Sequence, residues 1–180
     1  MLNSNAQEIW QNVSQREASS LGIKERVTIP KTEHYFKLDL NALKQALQNA
    51  PMRGHTSTLI LPFPGGNGKI EHFKIYEAPV MHPDLAARYP DNKSYVGQGI
   101  ENRSSVIRFS VTLFGLHTMT LAADNGTSYI DPYSNQGNYY VSYLREGLTT
   151  SHTFQCHTAD VEPELRINST VVTIPVRYVL

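Results

Sequence analysis

A single cysteine, Cys156, serves the whole chain of 180 residues. That scarcity excludes an internal disulfide framework and any structural zinc site built on paired thiolates. An excess of charge of either sign is also missing: sixteen basic residues balance sixteen acidic ones, and the pI is near 7.1. Such a balance offers no electrostatic reason to expect nucleic acid or an anionic membrane as partner. Long apolar runs are absent as well. The longest, "TLILPF" and "VTLFGL", fall far short of the roughly 20 residues that span a bilayer. The start, "MLNSNAQEIW", has no basic stretch followed by an apolar one, so no signal peptide is read there. Motifs of common enzymes are lacking: there is no HExxH, GxSxG, Walker loop or GxGxxG. What remains, 40% hydrophobic and 18% charged, is the composition of a folded domain, and the length fits one domain with an extra segment at either end.

The hydrophobic pattern predicts an α+β fold, mainly antiparallel sheet, curved or sandwich-like, with one helix packed on it and a short N-terminal helix. Residues 1–22 read as the N-terminal helical segment, with Ile9 and Val13 on one face at i, i+4, Trp10 beside them, and Ser19-Ser20 with Gly22 ending it. "ERVTIP" and "YFKLDL" read as short extended segments. "DLNALKQALQNAP" reads as the clearest helix, over 40–48: Asp39 caps it, Leu40, Leu43 and Leu47 form a stripe, and Pro51 stops it. "STLILPFP" and "KIEHFKIYE" are expected to pair through a "GGNGK" hairpin turn. Pro83 suits the first position of a short helix, entered at His82 and closed by Pro90. Alternating runs follow from Lys93 to Glu146, separated by turn residues, as in a meander that closes into a sandwich or a strongly curved sheet. Residues 23–146 thus form the main domain. Residues 147–166 read as a polar linker carrying Cys156, and 167–180 as a β-branched strand with no evident partner.

Other side chains carry ordinary readings. Asp124, Asn125 and Asp131 are hard oxygen donors of the kind calcium takes, but Asp124-Asn125-Gly126 reads as a β-turn. His117 reads as a strand residue. The tyrosines at 129, 133, 139, 140 and 143 suit cross-strand packing, with a sugar-stacking sheet face as the alternative. Cys156 is different, because "TTSHTFQCHTAD" resembles no core. If residues 152–157 are extended, His152 and Cys156 share a face. One Cys and one His cannot complete a structural zinc, but they can supply a ligand to a zinc held elsewhere. A thiolate delivered to the open position of a catalytic zinc displaces its water and blocks hydrolysis.

The stretch from "FKLDLNALKQALQNAP" through "EAPVMHPDLAARYP" and "SYVGQGI" to "YIDPY" resembles the N-terminal pro-region of secreted zinc metalloproteases of the metzincin, reprolysin-like type found in Bacteroidetes. The resemblance spans about residues 34–145, and the final "VVTIPVRYVL" resembles the first strand of a catalytic domain. It implies a non-catalytic pro-domain, secreted or periplasmic, that keeps the protease latent and assists its folding. Its partner would be the zinc-bearing catalytic domain, in cis in the precursor, and the chain would be a monomer or a strand-mediated dimer. No cofactor is expected in the chain itself. Cys156 is the expected ligand to the partner's zinc and His152 a weaker one, although "FQCHT" lacks the prolines and glycine of the cysteine-switch motif. A secreted β-rich module binding carbohydrate or protein is the alternative.

Overall fold

The structure, a computed structural model, describes residues 9–26, 28–136, 138–146 and 148–150. Cys156, His152, the rest of the linker and the strand expected at 167–180 lie outside the described residues.

Seven strands form the predicted meander: β4 (Ile60–Pro64), β5 (Ile70–Glu77), β6 (Lys93–Gly99), β7 (Val106–Thr112), β8 (Gly115–Ala122), β9 (Gly126–Pro132) and β10 (Tyr139–Leu144). Each pairs antiparallel with the next. Two strands from the N-terminal half extend the sheet beyond β10: first β3 (His34–Leu38), then β1 (Trp10–Val13). The result is one nine-stranded antiparallel sheet in the order β1-β3-β10-β9-β8-β7-β6-β5-β4. It curls until its edges meet. Trp10 of β1 donates from its indole Nε1 to the Pro62 carbonyl of β4 at 2.8 Å, and its ring lies 6.2 Å from that of Phe63. A second tie crosses the interior, where the Ser142 hydroxyl donates to the Gly65 carbonyl at 2.7 Å.

Curling needs room on the inner face. Gly97 supplies it, since a Cβ there would sit 2.7 Å from both Ile75 and Ile107 side-chain carbons. Phe36, Leu61, Phe63, Phe73, Ile107, Phe109 and Leu116 fill the interior. Helix α2 (Leu40–Leu47) adds Leu43 and Leu47, both buried, and is capped as expected by Asp39, whose Oδ1 accepts from the Ala42 amide at 2.9 Å. The β4–β5 turn is likewise as read: the Gly65 amide donates to the Lys69 carbonyl at 2.7 Å, and Gly68 takes a φ of 78°. Helix α3 (Pro83–Arg88) begins with Pro83 and is capped by the His82 ring nitrogen.

The N-terminal reading needs correction. Trp10–Val13 is a strand, and the short helix α1 comes after it, at Gln15–Ala18. β1 is buried on both faces: Trp10 points into the interior, while Val13 packs with Ala18, Tyr35, Tyr133 and Tyr139 on the outside. Ile9 and Val13, both buried and four apart, mimic helical spacing. Residues 9–22 therefore belong to the sheet domain. The linker also differs at its start, because Thr149–Thr150 form β11, which pairs with β2 (Thr28–Ile29) as a separate ribbon.

Trp10→Ala is expected to cost about 3–5 kcal/mol in urea unfolding, and Trp10→Phe, which keeps a ring but loses the hydrogen bond, about 1–2 kcal/mol. Leu43→Ala is expected to cost about 2–5 kcal/mol, and less than about half a kcal/mol would show that the stripe is not in the core.

Candidate functional site

The two residues expected to act on zinc lie outside the described residues, so the site is built from where their segment leaves the domain. That exit is the β2–β11 ribbon, and the chain beside it is tied to the outer face of β9 and β10. Arg26, two positions before β2, pairs with Glu33 at 2.7 Å and sets its guanidinium 4.9 Å from the centre of the Tyr143 ring. Glu33 also accepts from the Tyr35 hydroxyl. Burial, followed by the hydrogen bond and charge of Glu33, pushes the Tyr35 phenol well above its ordinary value, so it stays a donor.

Tyr143 continues the network. Its hydroxyl donates to Asp131 Oδ2 at 2.6 Å, and the other carboxylate oxygen of Asp131 meets His117 Nδ1 at 2.8 Å. Burial works to raise the Asp131 carboxyl. The hydrogen bonds of His117 and Tyr143, with the positive charges of His117 and Arg26, outweigh it and hold the group below the usual carboxylate range. Tyr143 is raised, first by burial and then by Asp131. His117 remains accessible, with its side chain 47% exposed. An imidazole held at Nδ1 by a carboxylate can accept or donate a proton at Nε2, or bind a metal there. Ser110 stands opposite His117 in the β7–β8 register, but no hydrogen bond joins them among the described residues. A nucleophile activated by a base needs that bond.

His117 is a strand residue, as expected, but Asp131 is its partner and not part of a calcium loop. Asp124 instead accepts from Asn102 at 2.8 Å and from the Asn125 amide at 3.0 Å within the turn. Among the described residues, no three His, Cys, Asp or Glu side chains converge as a metal site requires. Tyr133, Tyr139 and Tyr143 are packing residues in the outer cluster with Val13, Ala18 and Tyr35, and Tyr129 lies 5.6 Å from Tyr143, ring to ring. The pairing of His117 with Asp131 was within reach of the sequence. Both face outward by strand alternation, and the short β8–β9 turn brings them opposite each other. No protein family, curated protein or solved structure matches the chain. No described helix is long and apolar enough to cross a membrane.

Because the folded Asp131 carboxyl sits below its unfolded value near 3.9, the unfolded chain binds the extra proton in that range. Its contribution to stability is therefore complete above about pH 5 and falls away as the pH drops through the lowered value. Asp131→Asn is expected to cost about 1 kcal/mol at neutral pH and to flatten the acid limb of stability against pH. An unchanged acid limb would show that Asp131 gains nothing from the network.

Proposed function

We propose that this chain is the non-catalytic pro-domain of a secreted zinc metalloprotease, keeping the enzyme latent and assisting its folding. In this reading the Cys156 thiolate occupies the open position of the partner's catalytic zinc and displaces the water that would attack substrate. The metal belongs to the partner domain, joined in cis in the precursor outside the cytoplasm, and this chain contributes a ligand and no chemistry of its own.

The observation that carries the reading is the β2–β11 ribbon. Cys156 follows Thr150 by six positions, and Thr150 is held against β2. Six residues reach at most about 20 Å, so the thiol stays close to the domain that would cover the active-site cleft. A short tether of this kind gives an effective concentration in the millimolar range, enough for a single weak ligand to keep a metal occupied. The resemblance over 34–145 supports the reading too, because that span runs from β3 through β10 and so takes in most of the sheet.

The test is Cys156→Ala in the precursor. Substitution in the tether leaves the sheet intact, so thermal unfolding is expected to stay within about 0.5 kcal/mol of the parent. Peptide cleavage or self-maturation is expected to become faster, and His152→Ala to have a smaller effect. A stable but fully latent Cys156→Ala precursor would overturn the thiolate mechanism.

A further inference from the structure

We propose that the outer face of β5, β6 and β7 is a docking site for an acidic segment of this same chain, Asp160 to Glu164. Two shallow grooves cross that face and share Arg108 as a common wall. One, of about 390 Å³, is lined by Arg53, His55, Tyr76, Val96, Val106 and Arg108, among others. The other, of about 400 Å³, runs past Ser110 to His117 and Asp131. The first groove holds two guanidinium groups and no carboxylate.

Arg53 and Arg108 are exposed, and among the described residues neither side chain has a hydrogen-bond or ion-pair partner. Nearby carboxylates are already engaged: Asp131 with His117, Glu77 with Lys93, and Glu101 with His72. A chain of zero net charge thus carries an unneutralised basic trough with an apolar floor of Val96 and Val106. Such a surface selects a short acidic segment.

The chain contains one in reach. "ADVEPEL" sets Asp160, Glu162 and Glu164 at alternate positions, with Val161 and Pro163 between them and Leu165 after. Extended, such a sequence presents its carboxylates on one side and its apolar groups on the other, and Pro163 favours extension of the residue before it. Asp160 follows the anchored Thr150 by ten positions, a reach of about 33–36 Å. Arg26, two positions before the ribbon, is fixed over Tyr143 of β10, and β7 lies three strands away in the sheet order, about 15 Å at ordinary strand spacing. Docking would confine residues 151–159, and Cys156 with them, between the ribbon and the trough. The inference rests on charge and reach, and it stands or falls independently of any zinc ligation.

The test compares the full chain with the variant Asp160→Asn, Glu162→Gln, Glu164→Gln by amide chemical shifts at low salt. Removing the charges is expected to shift the amides of His55, Val96, Val106 and Arg108, by amounts that do not change on dilution. Trypsin cleavage after Arg166 supplies the second readout. It is expected to be about threefold or more faster in this variant and in Arg108→Gln, and the difference should vanish near 1 M salt. Unchanged trough amides or equal cleavage rates would overturn the proposal. Shifts that depend on concentration would do so too, since the trough would then be taking a second copy's segment.

Discussion

The contact on which the rest of the molecule depends is Trp10 against β4. An antiparallel sheet of nine strands has two edges, each a row of unpaired backbone groups open to other chains. Here the first strand in the chain closes on the last strand in the sheet. The indole ring packs edge-on against Phe36 and Tyr140 and tilted on Phe63, and its N–H satisfies a carbonyl on the far edge. One side chain therefore seals the interior and blunts both edges. Because β1 and β4 are far apart in sequence, closure joins the chain's start to its middle, and removing it would leave α2 packed against an open trough.

Closure decides where chemistry can reside. The interior is filled by aromatic and aliphatic side chains around Leu43 and Leu47. On the outer face, charges are not evenly mixed. On β8–β10 the carboxylate of Asp131 is engaged by His117 and Tyr143, and Arg26 lies across the Tyr143 ring. Across β5–β7 and the neighbouring Arg53, the cations of Arg53 and Arg108 have no ion-pair partner among the described residues. The chain's exit at Thr150 leaves from beside the first region and is within reach of the second.

Much of this fold was legible in the sequence because local and global signals agreed. Helix α2 has its cap, its leucine stripe and its stop at Pro51 within thirteen residues, and the meander strands alternate between glycine-rich turns. Trp10 was misread for a physical reason. A strand buried on one face by the main core and on the other by α1 loses its alternation, and the four-residue spacing of Ile9 and Val13, with Trp10 beside them, passes for a helical turn. The order β1-β3-β10 was equally hidden, since it depends on which long-range edge wins and not on any local pattern. At the candidate site, the His117–Asp131 pair needed the register across two strands, whereas Arg108 stands out only once its neighbours are known to be apolar or already paired.

The proposal that this domain delivers a sulfur ligand to a partner's metal is tested most directly by X-ray absorption at the zinc edge. The sample is the latent complex of this chain with a reprolysin-like catalytic domain. The account predicts one sulfur in the first shell at about 2.3 Å alongside the protease's nitrogen ligands, and its loss when Cys156 is substituted. A first shell of nitrogen and oxygen alone in a fully latent complex would contradict it, and latency would then come from the bulk of the curled sheet over the cleft.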